Sequence, residues 1–147
     1  MFVGKVVLAA LLLAGAGIDA AKRKIPNALI CAGLASFALM AVQLFREGNT
    51  ALLAGCLWAG TLSFFIHFIP WLTRSMGAGD VKLALVTGLL SGWEDWLGFM
   101  GAYSLVLLIA SAALFALGRR KPETIPLGPL MAAAWFLYHI VALNYNL

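Results

Sequence analysis

Asp19 and Asp80 are acidic residues that stand at the ends of long apolar runs. Asp19 follows LAALLLAGAGI, and Asp80 precedes VKLALVTGLL. A carboxylate at the edge of an apolar segment is costly to desolvate, so its presence suggests a function. Two carboxyl groups within hydrogen-bonding distance share a proton, and one then acts as an acid while the other acts as a base on water. If the fold brings the two together, we expect hydrolysis of an amide by an aspartate pair.

Each aspartate also has a structural explanation. Asp80 can cap the helix that it begins by accepting from free N–H groups of the first turn. Asp19 can form an ion pair with Lys22 or Arg23, about one turn away. Spacing alone does not decide between the two explanations. For the other acids, which lie in short polar loops, a solvated surface charge is sufficient: Glu47, Glu94, Asp95 and Glu123.

The elements that position these acids are apolar. The chain has 147 residues, of which 63% are hydrophobic and 11% charged, whereas soluble domains have about 45–50% and about 25%. This composition predicts an all-α protein in a lipid bilayer, so the net charge of +4 does not imply nucleic acid as a partner. The apolar segments are 2–18, 27–45, 51–72, 81–93, 95–117 and 125–143.

The fourth segment is the short one. It reaches Ser91 and Gly92 after about a dozen residues, or about 18 Å of helix, whereas the hydrocarbon of a bilayer is about 30 Å thick. We find no internal repeat and no low-complexity linker. We therefore expect one domain over residues 1–147, a single bundle of about six transmembrane helices with the fourth short.

The basic residues predict an orientation. With six crossings, one set of alternate loops holds eight Lys and Arg and the other holds two, and basic loops stay in the cytoplasm. Both termini are then predicted outside, with both aspartates on the cytoplasmic side. A cleavable signal peptide is the alternative for the first segment, but its strongly basic downstream flank favours a retained helix. The eight are Lys22, Arg23, Lys24, Arg74, Lys82, Arg119, Arg120 and Lys121, and the two are Lys5 and Arg46.

Metal ligands are sparse in this sequence. Cys31, Cys56, His67 and His139 each lie singly in an apolar run, with no C-x-x-C and no ligand spacing. Cysteine in such a setting behaves mainly as a small hydrophobic residue. We expect no metal and no other cofactor.

Three motifs resemble those of the prepilin peptidase family, which are membrane aspartyl proteases. GAGDVKL at 77–83 resembles the G-x-G-D motif, and Pro26 and Asn27 follow Asp19 by seven and eight residues, as in the first catalytic motif. IPLGPL at 125–130, with Pro126 and Pro129, resembles the proline-rich last helix. The match is specific because the three motifs occur in the right order over the whole chain.

This resemblance implies a six-helix core that uses Asp19 and Asp80 to remove the basic leader from type IV pilin-like precursors. The reaction would take place at the cytoplasmic face of the bacterial inner membrane, with pilus-assembly machinery as a further partner. Longer members carry an N-terminal methyltransferase region with paired C-x-x-C motifs, which this sequence does not show. It resembles the short form of Flp-type, or tight-adherence, pili.

Most of the residues that support the motifs allow both a functional and a purely structural interpretation. Gly77 and Gly79 permit positive φ and a close approach to Asp80, or form a plain flexible turn. Lys82 is expected to extend toward the lipid headgroups. Asn27 is expected to bond either exposed backbone or the substrate. Pro126 and Pro129 either start the sixth helix or shape the site.

Other functions stay open on the sequence alone. G-x-G-D also occurs in presenilin-like and signal-peptide-peptidase-like proteases, although Pro-Asn after the first aspartate and the short chain argue against them. Intramembrane carboxylates also serve small proton- or cation-coupled transporters, whose helices are more often interrupted near the midplane. A catalytically silent assembly subunit is a third alternative.

Overall fold

Six α-helices make up the described part of the chain, residues 2–116 and 127–145 of a computed structural model, and no strand occurs in these ranges. Five helices are long and apolar enough to cross a membrane, namely all except α4. The prediction of an all-α membrane protein is therefore confirmed. The helices are α1 (Phe2–Lys22), α2 (Asn27–Arg46), α3 (Thr50–Leu72), α4 (Ala78–Ser91), α5 (Trp93–Ala116) and α6 (Leu127–Tyr145).

Helix α4 is short, as predicted, and it lies at the centre of the bundle. Its 14 residues extend about 21 Å at 1.5 Å per residue. Nine of them are buried, on every side of the helix. Since the faces of α4 are covered by protein, its apolar character comes from burial in the bundle, whereas the other helices expose large apolar side chains on the outside.

Small residues allow α3 and α4 to pack closely. A Cβ on Gly88 would lie 2.5 Å from the carbonyl oxygen of Ala59, and a Cβ on Gly60 would lie 2.5 Å from Cδ2 of Leu89. Both distances are too short for a real contact, so the absence of a side chain at these positions sets the spacing of the two helices. Helices in membranes commonly associate through such small residues.

Polar contacts mark one end of the bundle. Lys5 near the start of α1 forms an ion pair with Asp95 at the start of α5, with Nζ and Oδ2 2.7 Å apart. Tyr138 in α6 donates its hydroxyl to Oδ1 of Asp95 over 3.2 Å. At the other end, the α1–α2 joint contacts the start of α4, since Ile25 packs against Gly79. The helices therefore alternate in direction, and the starts of α1 and α5 lie opposite the start of α4.

Candidate active site

Asp19 lies near the end of α1 and is held by the start of α6. Its side chain is buried, with 6% exposed, and its Oδ2 accepts a hydrogen bond from the N–H of Gly128 over 3.1 Å. Gly128 is the second residue of α6, where backbone N–H groups have no partner within the helix and favour an anion. The α6 N-terminus thus supports a carboxylate on another helix.

The ion pair considered for Asp19 does not form. Lys22 and Arg23 are exposed, and the one ion pair among the described residues joins Lys5 to Asp95 at the opposite end of α1. The Asp19 carboxylate is buried, pairs with no cation among the described residues and accepts one backbone hydrogen bond. It is therefore not an ordinary surface charge at a helix end. The position of Asp19 is therefore set by its packing against α6.

Asp80 occupies the first turn of α4 and does cap that helix, as considered from the sequence. Its Oδ2 accepts a hydrogen bond from the N–H of Gly77 over 3.2 Å. Its Oδ1, however, is buried and has no hydrogen-bond partner in the described part of the chain. Capping therefore accounts for one carboxylate oxygen, and the second oxygen is available for chemistry.

The two aspartates converge at one end of the bundle. A Cβ on Gly15, one turn before Asp19, would lie 3.7 Å from Cδ2 of Leu83, which is one turn after Asp80. Helices α1 and α4 are thus in contact at the level of both acids. The α1–α2 joint also packs against Gly79, the residue before Asp80, so both acids lie at the same end of the α1–α4 contact.

The glycines of the G-x-G-D motif act by close packing. Gly77 has φ of −75°, and the glycines with positive φ among the described residues are Gly48 and Gly92, so the positive φ permitted at Gly77 and Gly79 is not used. A Cβ on Gly79 would lie 3.0 Å from Cβ of Ile25. The α1–α2 joint thus packs closely against Gly79, and a close approach to Asp80 stays a prediction.

Lys82 and Asn27 contact each other. Lys82 Nζ donates to Oδ1 of Asn27 over 3.1 Å, and both side chains are exposed. The sequence did not predict this bond. The extension of Lys82 to headgroups and a bond from Asn27 to substrate stay predictions. Pro26 immediately precedes α2, with φ of −71° and ψ of 140°. The bond joins the start of α2 to the start of α4 beside the acids.

The proline-rich motif contributes through its glycine. Pro126 lies outside the described residues, and Pro129 is the third residue of α6 and half-buried. The contact with Asp19 is made by Gly128 instead. Sequence reasoning missed this residue, although Pro129 has no N–H to donate and a glycine between two prolines was a usable signal.

A cavity of about 870 Å³ opens at the other end of the bundle. Ser91, Trp93 and Glu94 are among its lining residues, and neither Asp19 nor Asp80 is. The cavity is large, but it does not contain either aspartate. We therefore assign the candidate chemistry to the aspartate end of the bundle. Among the described residues, no group of three or more His, Cys, Asp or Glu could hold a metal ion.

An apolar helical bundle that holds the buried Asp19 and the partly buried Asp80 at one end defines a multi-pass membrane protein with a candidate acid pair. Its sequence matches the type IV leader peptidase family over residues 6–119. The chain therefore belongs to that family, as the three motifs predicted. The matched range includes both aspartates and ends before α6. No curated protein and no solved structure matches the chain.

Family membership narrows the functions left open by the sequence. It supports a peptidase that acts as a type IV prepilin leader peptidase, with a prepilin substrate and a membrane location. The transporter alternative has no such support. Family membership does not specify the catalytic residues of the peptidase or the class of pilin that it cleaves.

Proposed function

We propose that this protein is an aspartic endopeptidase in which Asp19 and Asp80 form the catalytic pair. The observation that carries the proposal is the convergence of two carboxyl groups from α1 and α4, one with a buried oxygen that has no partner among the described residues. Each of the two also accepts one backbone N–H at a helix start. These two bonds orient the carboxylates before any substrate binds, which reduces the reorganisation required during the reaction.

The reaction follows from a pair that shares one proton. The ionised carboxylate takes a proton from water as the water oxygen bonds the scissile carbonyl carbon, while the protonated carboxyl donates to the carbonyl oxygen. The tetrahedral intermediate then collapses and its C–N bond breaks. The departing nitrogen receives the proton that came from water, and the intermediate returns a hydroxyl proton to the other carboxylate. The pair ends with the one proton that it had at the start.

The substrate class proposed is the Flp-type prepilin, with a basic leader before its apolar helix. We place the protein in the bacterial inner membrane as one domain, with the aspartate end facing the cytoplasm. In support, the described residues of that end include Lys22, Arg23, Lys24, Arg74 and Lys82, and such basic ends stay in the cytoplasm.

A reconstituted cleavage assay tests the catalytic pair. The purified protein and a Flp-type precursor with its leader are placed in lipid vesicles, and leader removal is followed by gel mobility and mass spectrometry. Asp19→Asn and Asp80→Asn should each lower the rate by at least about 10²–10⁴-fold, the contribution typical of general acid–base groups. Glu94→Gln is the matched control, because Glu94 is exposed and lies at the opposite end.

The controls separate chemistry from folding. All variants should retain the wild-type helical circular dichroism and elute as the same species in detergent. If Asp19→Asn or Asp80→Asn processes the precursor at a near wild-type rate, the pair is wrongly assigned. A longer type IV precursor in the same assay tests the pilin class, and faster cleavage of that precursor would contradict the Flp assignment.

A further inference from the structure

A second polar cluster lies inside the bundle, formed by Ser63 and His67 of α3 and Tyr103 of α5. Their exposed fractions are 0%, 2% and 3%. The hydroxyl groups of Ser63 and Tyr103 have no hydrogen-bond partner in the described part of the chain. Buried polar groups in native proteins are nearly always hydrogen-bonded, and leaving one unpaired costs about 1–3 kcal/mol. A cluster of this kind is therefore unexpected in an apolar core without a function.

The phenol of Tyr103 is held in place by aromatic neighbours. Its ring stacks on that of Phe99, with centroids 5.8 Å apart, and on that of His67, with centroids 5.7 Å apart. Because two rings restrict its motion, the hydroxyl has a defined position. Helices α3 and α4 are antiparallel, and Gly60 lies against Gly88. Two turns further along α3, His67 is therefore level with the start of α4. Tyr103 stacks on His67, so the cluster lies beside the first turn of α4, which carries Asp80.

The hydrogen bond of His67 defines which ring nitrogen can accept. Nδ1 lies 2.7 Å from the carbonyl oxygen of Ser63. A carbonyl oxygen only accepts, so Nδ1 carries the hydrogen and, in the neutral ring, Nε2 is an acceptor. The Ser63 hydroxyl lies on the same face of α3, one turn away. The cluster thus offers an imidazole acceptor and two hydroxyl groups, which a water molecule can bond.

We propose that Tyr103 is a positioning residue whose hydroxyl holds the attacking water at Oδ1 of Asp80, with His67 and Ser63 completing the hydrogen bonds of that hydrated site. The inference rests on the proposed aspartate pair and deepens it. Oδ1 of Asp80 is buried and has no partner among the described residues, so a water held there lies against a member of the pair that has to activate it. An ordered buried water makes about three hydrogen bonds, which these groups supply.

Steady-state kinetics of a conservative variant test this role. Tyr103→Phe removes one oxygen and keeps the stacked ring. In the reconstituted assay, we expect kcat to fall by about 10–100-fold while KM for the Flp-type precursor changes by less than about twofold, because water is lost from position and precursor binding is retained. Tyr138→Phe is the matched control, because its hydroxyl bonds Asp95 at the opposite end, and its kcat should equal the wild-type value.

Infrared spectroscopy gives a readout that a purely structural role would not change. Spectra of protein with ¹³C-labelled aspartate, minus those of Asp80→Asn, isolate the carboxyl bands that depend on Asp80. We expect Tyr103→Phe to shift these bands and Tyr138→Phe to leave them unchanged. Unchanged bands in Tyr103→Phe would overturn the proposal.

The kinetic outcomes are distinguishable. If Tyr103→Phe has wild-type kcat while Asp80→Asn is inactive, the positioning role is overturned and the aspartate pair stands. If Asp80→Asn is itself active, the pair falls and the role of Tyr103 falls with it. An equal loss of kcat in Tyr103→Phe and Tyr138→Phe would show a structural effect and would also overturn the proposal.

Discussion

At the scale of single residues, Gly128 shows how a backbone group can hold a buried carboxylate. Its N–H donates to Asp19, and a Cβ at this position would lie 3.1 Å from both Cβ and Oδ2 of Asp19 and 3.4 Å from the carbonyl oxygen of Gly15. Such contacts are tighter than ordinary van der Waals distances, so any side chain here has to displace α6 or the carboxylate. The hydrogen bond requires any residue other than proline, and the close contacts of a Cβ are the reason for glycine.

Gly128→Ala should lower the cleavage rate by about tenfold, which corresponds to about 1.4 kcal/mol of transition-state stabilisation. The physical reason is a shift of Asp19 by a few tenths of an ångström from its position beside Asp80. The rate is measured in the reconstituted assay. Gly17→Ala on α1 is the control, because a Cβ there meets nothing within 4 Å, and it should retain the wild-type rate. Equal rates in the two variants would remove Gly128 from the site.

The sequence predicted the two acids and their motif partners but not the contacts among them. Asp19 and Asp80 were identifiable because a charge beside an apolar run is conspicuous. The bond between Lys82 and Asn27 joins residues 55 positions apart, and the bond between Gly128 and Asp19 joins residues 109 apart. Such pairs depend on helix packing, which local patterns do not contain. Tyr103 was missed for the same reason, since an aromatic residue in an apolar segment is ordinarily part of the core.

At the scale of helices, the contact between α3 and α4 determines where Asp80 is presented. Apolar run lengths predicted all six helices to within a few residues, including the brevity of α4. They did not predict that α4 is enclosed, because its run is no more apolar than those that face lipid. Helix α4 is enclosed because small residues such as Gly60 and Gly88 allow the backbones of α3 and α4 to approach closely.

Gly88→Ala tests the importance of this packing. The added Cβ would lie 2.5 Å from the Ala59 carbonyl oxygen and 2.8 Å from the Gly60 Cα, so the helices must separate. We expect a loss of about 1–3 kcal/mol in the free energy of unfolding, as is typical for overpacking, measured by denaturation in detergent. Gly101→Ala on α5, where a Cβ meets nothing within 4 Å, should be neutral or slightly stabilising. A neutral Gly88→Ala would mean that the contact is not tight.

At the scale of the whole molecule, the charged side chains of the described residues are segregated to the two ends of the bundle. The Lys5–Asp95 pair and Glu94 lie at one end, and the starts of α2, α4 and α6 bring the acids and most basic residues to the other. The described part of the chain places five Lys and Arg at the aspartate end, which are Lys22, Arg23, Lys24, Arg74 and Lys82, and two at the opposite end, which are Lys5 and Arg46. This segregation is what the positive-inside rule uses, so it gives the orientation a physical basis.

The orientation leads to a prediction that single-cysteine labelling can check. Cys31 and Cys56 are first replaced by alanine, which gives a background without thiols. The reagent is a membrane-impermeant maleimide, added to cells whose outer membrane has been removed and whose inner membrane is sealed. With the aspartate end in the cytoplasm, Glu94→Cys and Asn146→Cys should react with it. Arg120→Cys should react only after the membrane is opened, because its flanking basic residues hold that loop inside.

Labelling of Asn146→Cys only after opening would place the C-terminus in the cytoplasm. The chain would then have an odd number of crossings, and the cytoplasmic position of both aspartates would have to be abandoned.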